Sequence, residues 1–178
     1  MKDDVYISLF RILDSEQQII TRTDQKAFTM LSLMGVFMVF FLVHFTKIQI
    51  NWFNFSMLIL YLGSALLALI ELIMVIHPRI RKAKDREDLP EINATYFGGI
   101  VSFASAADYG KYLRKIMSNE TKTYTMFANQ VYSVAQINQY KHGHMQSAIR
   151  YFAVAIISEL LIVMSVAFSW SSSFLFGS

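Results

Sequence analysis

Apolar residues gather into three long runs, Phe28 to Phe45, Phe53 to Ile76 and Tyr151 to Trp170, with polar segments between them. Each run holds roughly 18 to 24 residues, and a helix rising about 1.5 Å per residue needs about 20 to cross a ~30 Å hydrocarbon core. The pattern predicts three transmembrane helices. Ahead of the first run, Val5, Leu9, Ile12 and Leu13 fall at i, i+4, i+7 and i+8, which predicts an amphipathic helix over 3–26 with those four on one face. No proline or glycine separates this segment from the first span, so one helix is expected to continue into the bilayer.

The link from Thr46 to Asn54 is short enough to make the first two spans an antiparallel hairpin, and Pro78 is expected to end the second span just after His77. The charged stretch Arg79 to Asp88 reads as an anchor on lipid phosphates rather than a nucleic-acid patch. Pro90 and Gly98-Gly99 bracket an irregular connection with strand-like character at Ile100 to Phe103. Two further helices are expected, one over about 104–117 and one from about Lys122 that continues past Tyr140 into the third span. Tyr124, Phe127, Val131 and Val134 give the second of these its apolar face, and Gly143 is its expected hinge. The fold class is therefore all-α: a multi-pass membrane protein with three transmembrane helices and a helical region outside the bilayer.

Composition supports this. Apolar residues make up 54% of the 178 and charged ones 16%, enough for one compact unit with about a third of it in lipid. Trp52 and Trp170 stand at span ends, where an aromatic belt belongs. Without cysteine, the chain has neither disulfides nor thiolate metal sites. The first run is too long for a signal-peptide core and follows an acidic segment, so no cleaved signal peptide is expected. Lys and Arg crowd the segment before the first span and the one between spans two and three, whereas the tail after Trp170 has none. Positive charge stays inside, so the N-terminus is expected in the cytoplasm and the C-terminus outside. Residues 1–27 then form a cytosolic amphipathic helix, 28–77 a transmembrane hairpin, 78–148 a cytosolic helical region, and 149–178 the third span with a short external tail.

Glu71 and Glu159 fall within spans, where a carboxylate is expensive and usually faces a bundle interior or a water-filled path. Two readings of them stay open: pore lining or a contact between protomers, or a protonated carboxyl bonded to Ser158, Ser165 or a neighbouring hydroxyl. His142 and His144 flank Gly143, but two imidazoles without a third ligand make a weak metal site, and a solvated juxtamembrane segment is expected. No phosphate-binding glycine loop or nucleophile elbow is present, so no enzyme is expected. Asp24 and Lys26 enter the bilayer at the depth of Lys141 and Arg150, where partial desolvation strengthens opposite-sign pairing. Their role is either coupling between outer helices and spans or simple anchoring.

The segment Thr23-Asp24-Gln25-Lys26-Ala27 resembles the Asp-x-Lys-Ala signature of the Pycsar effector family with transmembrane helices, PycTM. Tyr96-Phe97-Gly98-Gly99-Ile100, Asn129-Gln130 and Gln139-Tyr140-Lys141 match the same family in order and spacing, although the family tends to bulkier or acidic residues at Gly98 and Gly99. The resemblance implies an antiphage effector. A partner pyrimidine nucleotide cyclase makes a cyclic pyrimidine nucleotide, cyclic UMP or cyclic CMP, on infection; the effector oligomerises or rearranges and impairs the inner membrane of its own cell. On this reading 78–148 is a sensor region, in which Tyr96, Phe97, Tyr109, Arg114 and Tyr140 could stack on a base or pair with its phosphate. Asp24, Lys26 and Lys141 would couple it to the spans. The alternative is a structural or channel subunit with no nucleotide response.

Overall fold

In the computed structural model, which describes residues 2–48, 51–77, 94–95 and 97–176, all regular structure is helical. The helices are α1 (Lys2–Phe45), α2 (Trp52–Ile76), α3 (Phe97–Ile100), α4 (Ala106–Met117) and α5 (Glu120–Phe176). Three of them, α1, α2 and α5, are long and apolar enough to cross a membrane. The charged stretch 79–88 and Pro90 lie outside the described residues.

Local chemistry sets the ends. Asn51 caps α2, its side chain accepting from the backbone N–H of Asn54 at 2.7 Å. At the other end His77 is extended (φ −62°, ψ 120°), as expected of a residue that precedes proline in the sequence. Ser105 and Asp108 form a capping pair on α4, the serine hydroxyl accepting from Asp108 N–H at 3.1 Å. Asn119 starts α5 by accepting from Lys122 N–H at 3.1 Å, so the break at 118–120 is a cap-to-cap junction. The strand expected at Ile100 to Phe103 is absent. Phe97–Ile100 makes one helical turn and 101–104 turns and bends, because the Phe103 ring packs on Tyr109 and Tyr112, at 5.5 and 5.1 Å. Gly143 is likewise no hinge in this structure: α5 runs through it unbroken.

The chain divides into two units. The first comprises 1–21 and 78–139. Its core is Ala94, Ile116, Met126 and Phe127, with Leu9, Tyr109, Tyr112 and Leu113 packed against it. Phe10 meets Phe127 edge-on at 4.8 Å, and Asn138 Nδ2 donates both to the Glu16 carbonyl and to Glu16 Oε2. The inward side of α1 is offset from the expected face. Tyr6, Leu9, Leu13, Glu16 and Ile20 are partly buried, whereas Val5 and Ile12 are exposed. On α5, Phe127 and Val134 are buried and Val131 partly so, but Tyr124 is exposed and Met126 and Gln130 take its place inside.

The second unit comprises 22–77 and 140–178 and contains the three spans. Ala27, Ala68 and Ala148, one from each helix, are all 0% exposed, and such small side chains let helix backbones approach closely in lipid. Met34, Leu72, Val75 and Met145 complete that cluster. A second cluster, Phe41, Tyr61, Ala65, Ala155 and Ile162, fills another part of the bundle. Large apolar residues such as Val36, Leu42 and Met164 face outward, each 66% exposed, which water would penalise and lipid accepts.

Candidate functional site

Ion pairs hold the three span helices together where their apolar runs begin or end. Lys141 Nζ of α5 donates to Asp24 Oδ1 of α1 at 2.5 Å, and the lysine is 7% exposed. Nearly one turn further along α5, His144 Nδ1 stands 2.5 Å from Glu71 Oε2 of α2. Tyr140 packs edge-on against the His144 imidazole, ring centres 4.2 Å apart. Ala27, Leu72, Met145 and Ala148 pack directly beside these pairs, so the charges border an apolar core instead of open water. In that setting a charged hydrogen bond is strong, and the loss of one partner leaves the other stranded.

The geometry rests on helix spacing. Lys141, Met145, Ala148, Ala155, Ser158 and Ile162 recur at threes, fours and their sums, which lines them along one face of α5. His144 sits at the edge of that face, within reach of α2. On α2, Tyr61, Ser64, Ala68, Leu72 and Val75 repeat the same spacing, with Glu71 at its edge.

Sequence reasoning nominated part of this set. Asp24 and Lys141 come together as opposite-sign partners at the depth expected. Lys26 and Arg150 are exposed and take no part in the cluster. Glu71 bonds to a histidine, not to a serine or threonine, and His144 is thereby a bundle residue instead of a solvated one. His142 is exposed and bonds to Gln146 at 2.9 Å, so the two histidines do not converge on a common point. Glu159 is buried, yet Ser158 donates to its own helix at the Val154 carbonyl, and neither Glu159 oxygen has a hydrogen-bond partner. The expected serine bond is absent. The carboxylate is buried within its own bundle.

The described base-stacking candidates lie on α3, α4 and α5. Arg114 is exposed on α4 in the first unit, beside Lys111 and Lys115, and Tyr140 belongs to the second unit. Phe97 opens α3, and Tyr96 lies outside the described residues. Tyr109 serves the core, its hydroxyl donating to the Ala94 carbonyl at 3.1 Å.

Neither the curated proteins nor the solved structures contain a match to this chain. The family model for the Pycsar effector protein domain, PycTM, matches residues 8–170, a range that takes in both ion pairs and all three span helices. The chain belongs to the Pycsar effector family and is an antiphage defence effector of the membrane.

Proposed function

We propose that this effector is the membrane-acting arm of a nucleotide alarm. A partner pyrimidine nucleotide cyclase releases cyclic UMP or cyclic CMP on infection. The nucleotide shifts the effector from a resting to an active, homo-oligomeric arrangement that impairs the inner membrane, and the infected cell stops growing or dies. The protein catalyses no reaction in this scheme and needs no cofactor; the cyclic nucleotide is its activating ligand. The charge distribution supports an N-terminus and first unit in the cytoplasm and a C-terminus outside.

The observation that carries this reading is the continuity of α1 and α5, each of which contributes to the first unit and then becomes a span without a break. Asp24 and Lys141 pair just past the points where these helices leave the first unit. A ligand moves a two-state protein only by its differential affinity, typically about 1–3 kcal/mol of coupling. The partly buried contact of Asp24 with Lys141 is worth about 2 kcal/mol, which lies in that range. The exposed basic face of α4, with Arg114, Lys111 and Lys115, suits a cyclic phosphate.

The experiment is an imposed potassium diffusion potential in proteoliposomes, read with a potential-sensitive dye. Cyclic UMP or cyclic CMP is expected to collapse the potential, and cyclic AMP is not. A potential that survives both pyrimidine nucleotides sinks the proposal.

A further inference from the structure

Glu159 is 2% exposed in the middle of a span helix, with both carboxylate oxygens unpartnered. Its neighbours along the same face of α5, Ala155 and Ile162, pack with Phe41 of α1 and Tyr61 of α2. An apolar residue of similar volume would fill this space without the penalty of desolvating a carboxyl, so packing alone does not account for an acid here. Buried ionisable groups in spans ordinarily mark an ion path or a proton relay.

A second acid and imidazole, Glu71 and His144, stand in the same bundle, separated from Glu159 by about four turns of α5, or ~22 Å at 1.5 Å per residue. Hydroxyls lie along the interior from Glu159 toward them: Tyr61, Ser64 and Ser158, all buried. Ser64 and Ser158 donate to the Leu60 and Val154 carbonyls of their own helices, which leaves their oxygens able to accept. The file is then interrupted. Ala68 on α2 and Ala148 on α5, both 0% exposed, stand between these hydroxyls and Glu71 and His144 along their helices.

We infer that the interior of this bundle is a gated proton path, running from Glu159 past Tyr61, Ser64 and Ser158 to Glu71 and His144, with the Ala68 and Ala148 layer as its gate. It rests on the membrane-impairing reading above and names what crosses. Carboxyl, imidazole, phenol and hydroxyl groups each accept a proton from a neighbour or an intervening water and release one onward, so no net chemistry and no co-reactant is needed. Separation of the helices by about a water diameter at the gate layer would complete the file.

The test needs no nucleotide. Ala68→Ser and Ala148→Ser each place a hydroxyl in the gate layer, one on α2 and one on α5, so either serves should the other fail to fold. Full-length protein is reconstituted into vesicles holding a pH-sensitive dye and calcein, with a valinomycin-set potential driving protons. Both gate variants are expected to acidify or alkalise the lumen faster than wild type with calcein retained. Adding Glu159→Gln is expected to abolish the flux, and Glu159→Asp to keep it. Absence of flux from the folded gate variants, flux indifferent to Glu159→Gln, or calcein escaping with the protons would each overturn the inference. A wild-type protein that ignores cyclic UMP and cyclic CMP while Ala68→Ser conducts protons would instead sink the nucleotide reading and leave the path standing.

Discussion

Lys141 of α5 and Asp24 of α1 meet at 2.5 Å, nearly one turn before the contact of His144 with Glu71 on the third helix of the bundle. The lysine is buried and the aspartate about a third exposed, at 8% and 30% of their side-chain surfaces. The pair therefore belongs between an exposed salt bridge, worth ~0–1 kcal/mol, and a buried one, whose disruption costs ~3–5 kcal/mol. Asp24→Ala is expected to lower bundle stability in detergent by about 2 kcal/mol, and the double variant Asp24→Leu with Lys141→Met to recover most of it. Thermal unfolding of the four corners of that cycle checks the coupling; additive losses would remove the pair from the account.

In the first unit, Asn138 of α5 ties itself to Glu16 of α1 through both the backbone carbonyl and the carboxylate. Asn138→Ala leaves the half-buried Glu16 carbonyl without this donor. A loss of about 1–3 kcal/mol is expected, read by chemical denaturation with a probe on residues of that unit.

Gly143 lies in uninterrupted helix, and a Cβ there would meet no atom within 4 Å. Gly143→Ala is therefore expected to stabilise the protein by roughly 0.5–1 kcal/mol, the ordinary gap between the two residues in a helix. If activation bends α5 at this glycine, the same variant will need more nucleotide to respond. A melting temperature that falls on Gly143→Ala would contradict the straight helix.

The chain has no cysteine, so single cysteines report topology without background. Lys115→Cys on exposed α4 is expected to resist a membrane-impermeant maleimide in intact cells and to react after permeabilisation. Labelling of intact cells would reverse the orientation.

Much of this architecture was legible before any coordinates. Hydropathy alone delivered the spans, and the missing breakers between 3 and 45 delivered the continuous α1. Depth and sign mark Lys141 and Arg150 alike as partners for Asp24, and helix packing selects Lys141. What escaped was decided by tertiary packing. Ile100 to Phe103 is a short apolar run whose periodicity cannot separate strand from helix or turn, and the stack of Phe103 on Tyr109 and Tyr112 settles it. His144 was misjudged because Gly143 reads locally as a breaker. The buried neighbours Lys141, Met145 and Ala148 hold the helix through it, and only then does His144 turn toward Glu71. A face plot of 141–162 at three-and-four spacing would have exposed that stripe. The inward side of α1 slipped for a related reason: Val5 and Ile12 satisfy the amphipathic pattern, but Leu9 and Leu13 with Tyr6 fit the groove beside α4 and α5 better.

The most direct measurement follows the membrane potential of cells carrying this effector while a pyrimidine nucleotide cyclase is induced beside it. The account predicts depolarisation as cyclic UMP or cyclic CMP accumulates, blunted by Asp24→Ala at equal protein level. A steady potential in cells full of the nucleotide, with the effector present in the membrane, would contradict it.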